Sequence, residues 1–549
     1  MERFQLHFRT FLQARLWLLL SVAIVASLVV VPAALASHAT GSSDVKVTRD
    51  NNNVDGGLPN PGFDAQNRQS NEATVAISPA NPDIVAAGAN DYRMVTVTGD
   101  VWFGLYVSAD RGSTWFNTMV PGFPSDTSAA GLASPLLGLD ASGDPVVRFD
   151  AAGNLYVAAI AFNRNFDQPD RPLDSAVYVA RYAYTPGTPG GVSTPASAAN
   201  PPNFTYAGTT IVDRGAVGFA VPGVVGFAGT FVDKEWMEID QNSALASACA
   251  GSVYVAYTAF HGASGGSPIK FNRSTDGAAT FAPSKGISTG GKDGSTDNQG
   301  ADIAVASNGT IYIAYSAFER STGVSSINLV KSADCGKKWS QPVMVGAVVD
   351  PQAPGVAFRT PTFAFVAADS ADPNIVYVAY QSMASGDYDI YVQRSTDGGA
   401  TWGAPVQVND DPGDRHQIFP TIEVSHGALH VAWYDFRNSV TAANEALDVY
   451  YACTNCAGSL YPAFSHSVRV SDASHNGNCL LFGGGTSAFH GDYNELDARW
   501  DGANHIVHVA WADNRDVSPC DLDPAAGPAS NNTGNRNQNI YADMLIIAP

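Results

Sequence analysis

Four short stretches of the 549-residue chain share one pattern, Ser-x-Asp-x-x-x-x-aromatic. They are SADRGSTW from Ser108 to Trp115, STDGAATF from Ser274 to Phe281, SADCGKKW from Ser332 to Trp339 and STDGGATW from Ser395 to Trp402. Three of them also place glycine fifth, at Gly112, Gly336 and Gly399. Self-similarity of this kind commits a chain to equivalent structural units stacked side by side. In a turn, the Asp carboxylate can accept hydrogen bonds from nearby amides, and glycine supplies backbone angles that other residues avoid. The terminal aromatic then starts the next strand and packs under the turn. The pattern predicts a structural role for Asp110, Asp276, Asp334 and Asp397.

A second repeat accompanies the first. LYVAAIAF begins at Leu155, VYVAYTAF at Val253, IYIAYSAF at Ile311, VYVAYQSM at Val376, LHVAWYDF at Leu429 and VHVAWADN at Val507, with a weaker copy, IVAAGAND, at Ile84. Each is β-branched and aromatic, and of strand length. Most follow a turn such as AAGN or SNGT, and before the turn lies another short strand, as in EATVAISP, EWMEID and PTIEVS. A third strand ends in the Ser-x-Asp motif in four units, and a fourth follows, as in APVQVNDD. Seven units of four antiparallel strands result, and radial repetition of four-stranded sheets is the β-propeller.

The last unit lacks a fourth strand after NIYADMLIIAP. The segment DVKVTRD, from Asp44 to Asp50, resembles SVRVSDA of the preceding unit and stands alone before the first. The expected fold is all-β, a seven-bladed propeller closed by this N-terminal strand as the outermost strand of the last blade. The Pro- and Gly-rich stretch from Thr185 to Asn203 is expected to be a mobile surface loop within the second unit.

The N-terminus reads as an export signal. Arg3, Arg9 and Arg15 precede an apolar run from Leu16 to Val31, and Ala34 and Ala36 form a small-x-small cleavage pattern. This assigns residues 1–36 to a signal peptide and 37–549 to one secreted domain; an uncleaved membrane anchor is the other reading of the same run. Six cysteines in an exported chain are expected to pair. Cys479 with Cys520 and Cys249 with Cys335 lie in loops on shared faces of the ring, and Cys453 with Cys456 forms a local CxxC. The net charge of −21 and the lack of a visible basic stripe argue against nucleic acid and anionic membranes. A monomer without cofactor is expected.

The Ser-x-Asp turns are similar to Asp boxes, and with the VYVAY strands the chain resembles the sialidase-like BNR-repeat propellers over nearly its whole mature length. The resemblance implies a glycan-related extracellular propeller. Sialidases of this type are usually six-bladed, which makes six blades the alternative count. Their chemistry uses an early Arg-Ile-Pro-like segment, three arginines on the substrate carboxylate, a tyrosine nucleophile paired with Glu, and an Asp acid/base. No Arg-Ile-Pro segment opens the first unit here.

Propeller topology directs a site to the face opposite the Ser-x-Asp turns, where second strands end and first strands begin. Arg437, Arg515, Arg359, Asp492, Tyr493 and Glu235 fall there, with His416 and His490. Two readings follow. In one, the face binds glycan or another polar ligand without chemistry. In the other, the chain is an exo-sialidase-type glycoside hydrolase, or a polysaccharide lyase, with Arg359, Arg437 and Arg515 as an anion clamp, Tyr493 as nucleophile and Asp492 and Glu235 as acidic partners. For each residue taken singly, a solvated charge or an inter-blade brace is the plainer role. Neither His416 nor His490 has a second histidine at metal-ligand spacing, and no P-loop, GxSxG or dinucleotide motif is present.

Overall fold

Six four-stranded antiparallel sheets and a seventh, larger one that combines strands from both ends of the chain form seven blades. The computed structural model describes residues 39–41, 43–48, 69–92, 101–163, 174–194, 197–215, 229–242, 247–262, 265–290, 294–456, 458–482, 487–518, 520 and 537–549. The expected leader, residues 1–36, lies outside them. Among the described residues no helix is long and apolar enough to cross a membrane.

The first strand of each sheet is its innermost. These strands are Ser70–Ile77, Ala141–Phe149, Thr230–Ile239, Thr296–Val305, Phe365–Ala368, Gln417–Ser425 and Glu495–Trp500. Each packs against the first strand of the next sheet, and the seventh packs against the first, so the ring is closed. The count is seven blades, and the alternative of six is set aside. The second strands carry the repeated apolar runs. They lie between first and third strands and are buried almost throughout, as in Val376–Ser382 and Ala428–Asp435. Cores form between neighbouring blades. Trp102, Phe103 and Leu105 of blade 1 pack with Phe149, Val157 and Tyr178 of blade 2. Each such large apolar side chain contributes on the order of 1.5 to 3 kcal/mol when fully buried.

The Ser-x-Asp turns all close in the same way. In the first, Asp110 Oδ1 accepts from Thr114 N at 2.8 Å and Oδ2 from Thr114 Oγ1 at 2.7 Å, while Ser108 Oγ accepts from Gly112 N at 2.8 Å. The same bonds recur around Asp276 and Asp397, and around Asp334 in part. Hydrogen bonds from Thr280 and Ser274 to the exposed Asp276 hold its carboxyl down at about 2. Trp115 is fully buried beneath its turn, and Phe281, Trp339 and Trp402 are partly buried against the cores.

Ring closure uses the N-terminal segment as expected. Val45 and Lys46 pair antiparallel with Ala542 and Tyr541 of the last blade's third strand, Asn539–Ile547. Val47 N donates to Ile540 O at 2.8 Å, and Asn117 of blade 1 donates to Val47 O at 3.0 Å. Arg49 and Asp50 lie outside the described residues. The three disulfides are Cys249–Cys335, Cys453–Cys456 and Cys479–Cys520. The stretch from Thr185 to Asn203 departs from expectation: instead of projecting freely, it lies on the fourth strand of blade 1. Thr118 Oγ1 donates to Ala199 O and accepts from Ala199 N, and Ser193 Oγ lies 2.9 Å from Thr118 Oγ1.

Candidate functional site

The repeated alanine of the second strands gives a common register for the ring. Ala158, Ala256, Ala314, Ala379, Ala432 and Ala510, with Gly88 in blade 1, pair with Val146, Trp236, Asp302, Phe365, Thr421, Glu495 and Thr74. Two residues before these positions stand Asp144, Lys234, Gly300, Phe363, Phe419, Tyr493 and Glu72, with Phe363 and Tyr493 just ahead of their strands. In five blades the ladder breaks just there, between Asn71 and Thr74, Gly143 and Val146, Asp233 and Trp236, Gln299 and Asp302, and Ile418 and Thr421. The bulged residues adopt positive φ: Glu72 at 56°, Asp144 at 57°, Lys234 at 54°, Gly300 at 64° and Phe419 at 51°. Four of them are not glycine, and each such conformation costs on the order of 1 to 2 kcal/mol. Bulges re-aim side chains. Here they turn Glu72, Asp144 and Lys234 onto one charged cluster at the upper end of the ring.

Lys234 is the centre of that cluster. Its Nζ lies 2.5 Å from Asp492 Oδ2, 3.2 Å from Asp144 Oδ2 and 3.6 Å from Glu72 Oε1. The aromatic rings of Phe363 and Tyr493 flank it at 5.8 and 6.0 Å. Asp492 also takes a fork from Arg359, with Nε to Oδ1 at 2.6 Å and Nη2 to Oδ2 at 2.5 Å. Glu72 accepts from Asn90 Nδ2 at 2.7 Å and from Asp492 N at 3.2 Å. A side chain on Gly491 would meet Glu72 backbone within 2.9 Å, so glycine is what lets the blade 7 loop come this close.

Proton affinities in the cluster diverge. Burial pushes Glu72 well above the usual carboxyl range, against the opposing pull of Lys234. Burial also raises Asp233, to about 7, helped by the charge of Asp144. Asp144 moves the other way: burial alone would raise it, but Lys234 and hydrogen bonds from Glu72 and Lys234 hold it low. Burial opposes the charge on Lys234, yet Asp144, Asp492 and Glu72 together raise its affinity well above normal. Glu235 is pushed far up by burial, and neither of its carboxyl oxygens has a hydrogen-bond partner.

Of the six residues singled out from sequence, the structure brings Arg359, Asp492 and Tyr493 to this cluster and buries Glu235 beside it. Tyr493 is 5% exposed, its hydroxyl donates to Pro145 O at 3.3 Å, and burial raises its proton affinity well above normal. Among the described residues no carboxylate accepts from this hydroxyl to act as its base.

Arg437 and Arg515 lie elsewhere, contrary to the expectation that they point to the axis. Arg437 folds back on Asp435, with Nη2 to Oδ2 at 2.7 Å, reaches Ser467 and Asp410, and covers the Tyr450 ring at 4.0 Å. Arg515 holds Asp513 at 2.7 Å and Asp44 at 2.6 Å over the Tyr541 ring at 4.2 Å. Tyr450 and Tyr541 belong to third strands, so both arginines face outward. The three arginines therefore do not converge. The shared motif Trp-x-Asp-x-Arg, at Trp433 and Trp511, encodes a brace: each indole donates to the same Asp that its Arg pairs with.

Below the cluster the axis is plugged. Arg148 bridges Glu238 at 2.9 Å and Glu495 at 2.7 Å and lies over the Trp236 ring. Beyond it, toward the Ser-x-Asp face, opens a polar cavity of about 220 Å³ that includes Gln241, Glu423, Asp497 and Arg499 in its wall. His490 is wholly buried against His475, and burial together with that neighbour lowers its affinity to about 3. Among the described residues no group of three or more His, Cys, Asp or Glu side chains is arranged to hold a metal ion. Among Glu72, Asp144 and Asp492, the Lys234 ammonium takes the central place.

No family model matches the sequence, and no curated protein matches it either. Solved structures similar to it include a Hadza microbial sialidase, Hz136, at 14% identity and a TM-score of 0.40, covering 79% of this chain and 72% of that one. A Penicillium chrysogenum α-L-arabinanase complexed with arabinobiose is 11% identical with a TM-score of 0.41, covering 92% and 98%. A Dyadobacter fermentans protein of unknown function is 12% identical with a TM-score of 0.39, covering 93% and 100%. The assignment of the fold rests on the strand ladders themselves.

Proposed function

We propose that this propeller, exported after removal of residues 1–36, recognises a glycan at the face opposite its Ser-x-Asp turns. One observation carries the reading. Arg359 is paired through one edge with the buried Asp492, yet its side chain remains 57% exposed and lies 5.0 Å over the Phe489 ring. Phe489 continues edge-to-face into Phe482 at 5.5 Å, and Phe482 into Tyr92 at 5.7 Å. A fixed guanidinium at the end of an aromatic strip suits a sugar, with ring faces for the apolar side of the pyranose and a planar donor for hydroxyl pairs or a carboxylate. Export is supported by the pairing of all six cysteines, since disulfides persist in oxidising compartments. N-terminal sequencing of the mature protein tests the cleavage.

A hydrolytic reading draws on a different pair of groups from the three-arginine clamp. Asp233, at about 7, and Asp144, held low, are neighbouring carboxyls whose environments push them apart, which is how acid and base roles are divided on one site. A screen of purified protein against neutral and acidic oligosaccharides, by calorimetry and by product analysis, tests both. Binding that is lost in Arg359→Ala supports recognition. Turnover that is lost in Asp233→Asn with binding retained supports hydrolysis. No binding to any oligosaccharide refutes the proposal.

A further inference from the structure

The chain has eight lysines, and six of them fall between Lys270 and Lys338. Composition alone hides this, because the net charge is −21. The fold gathers Lys285, Lys331, Lys337 and Lys338 with Arg273 on the Ser-x-Asp face of blades 3 and 4. Arg273 Nη1 donates to Cys335 O at 2.9 Å, and Lys285 Nζ donates to Lys337 O at 2.6 Å, so both reach from blade 3 to the turn of blade 4. Lys331 Nζ donates to Gly398 O in the next turn. Lys337 and Lys338 are exposed on the turn itself.

Among the described residues, none of these five cations has a carboxylate within ion-pair distance, whereas Arg148, Lys234, Arg359, Arg437, Arg469 and Arg515 all do. The turn carboxylates Asp276, Asp334 and Asp397 are held by amides and hydroxyls of their own turns and form no ion pair with these cations. The turn is also stapled: Cys335 at its centre is bonded to Cys249 of blade 3. A hollow of about 460 Å³ lies beside it, between blades 4 and 5, with Tyr312, Lys331, Lys338, Trp339 and Asn374 in its wall.

From this rigid cationic patch, whose lysines make no ion pair among the described residues, beside a hollow walled by Trp339 and Tyr312, we infer a second binding surface, on the Ser-x-Asp face, for an anionic polysaccharide bearing sulfate or carboxylate groups. The lysines supply charge-assisted contacts to the anionic groups, and Trp339 and Asn374 face the sugar ring and its hydroxyls. A nucleic acid fits less well: it needs a basic stripe long enough for a run of regularly spaced phosphates, and this patch is confined to blades 3 and 4.

The test is titration of the full mature protein with a heparin oligosaccharide, with neutral dextran and with a single-stranded oligodeoxynucleotide, at rising salt. The expected result is saturable heparin binding that weakens with salt, no dextran binding, and an affinity reduced about tenfold or more in Lys337→Glu/Lys338→Glu with Tm unchanged. Arg320→Gln, at an exposed arginine already paired with Asp297 and outside both binding surfaces, should bind heparin as the wild type does. If the double variant does not fold, Lys337→Gln and Lys338→Gln singly should each still weaken binding. Absence of heparin binding at low salt, binding indifferent to these substitutions, or equal or tighter binding of the oligodeoxynucleotide overturns the inference.

Discussion

Lys234 Nζ lies 2.5 Å from Asp492 Oδ2, joining the innermost strand of blade 3 to the start of blade 7. The two residues are far apart in sequence, and the ammonium is only 11% exposed and the carboxylate 1%. Three carboxyl groups share this one cation, with Arg359 as a second partner of Asp492. Removing a single partner from a buried charge cluster strands the others, which typically costs about 3 to 5 kcal/mol. Lys234→Met should lower unfolding free energy by that amount at pH 7. Lys234 is raised above its unfolded value of 10.5, so its contribution is complete below that pH and fades only above it. The defect in the variant should shrink toward pH 5, where Glu72 and its neighbours can take up protons instead. Urea unfolding at the two pH values measures this, and an equal loss at both would refute the account.

Asp233 gives a stability slope of opposite sign to the usual carboxylate. Its folded value of about 7 lies above the unfolded 3.8, so the folded state binds more protons between them. The contribution of this group is therefore greatest near pH 4 and is lost as pH rises to 7, by up to about 1.4 kcal/mol per pH unit, while the buried His490 and His508, lowered to about 3 and 4, act in the opposite direction. Asp302 and Glu423, each raised by burial to about 8, act in the same direction as Asp233. Asp233→Asn should remove this one slope, so that its stability relative to wild type rises between pH 4 and 7, as read from chemical denaturation of both proteins across that range.

The closing strand should be essential. Val47 is wholly buried, and its amide and carbonyl tie blade 7 to blade 1. Val47→Asp places a carboxylate where about 1.5 to 3 kcal/mol of apolar burial was, and leaves the Asn539–Ile547 strand as an open edge. A lower Tm and a growing aggregate fraction on size-exclusion chromatography are expected. A soluble, monodisperse variant with wild-type Tm would show that closure does not depend on this strand.

What could be read from the sequence was local and periodic. The Ser-x-Asp turns, the seven apolar second strands and the closing segment each carry their signal within about ten residues, and the cysteine pairs followed from which face each loop must occupy. The charged cluster was not legible because a bulge defeats period-two reading. The strands EWMEID and PTIEVS begin before Glu235 and Pro420, and the left-handed Lys234 and Phe419 sit immediately before those two positions. Alternation therefore gives Asp144 and Lys234 no place on a strand and Glu72 an ordinary one, although all three stand at bulges. Arg437 and Arg515 misled for a different reason. They occupy matching positions, but a carboxylate two residues earlier, across a bend, captures each guanidinium before it can reach the axis.

That capture yields the last prediction, a contrast between two arginines. Asp513 is wholly buried; burial would raise its proton affinity, but His475 and Arg515 hold it far below normal. Arg515→Ala leaves this charge without its guanidinium and also releases Asp44 from the closing strand, so a loss of about 3 to 5 kcal/mol is expected at pH 7. Because a lowered carboxyl contributes stability above its unfolded value of 3.8 and loses it as pH falls, the gap between variant and wild type should narrow below pH 4. Arg359 is 57% exposed, and its pair with Asp492 is backed by Lys234. Arg359→Ala should therefore cost no more than about 1 kcal/mol and act instead on ligand affinity. Thermal unfolding of both variants, set beside oligosaccharide titration of each, decides the matter. A large stability loss in Arg359→Ala, or none in Arg515→Ala, would reverse the roles assigned to the two residues.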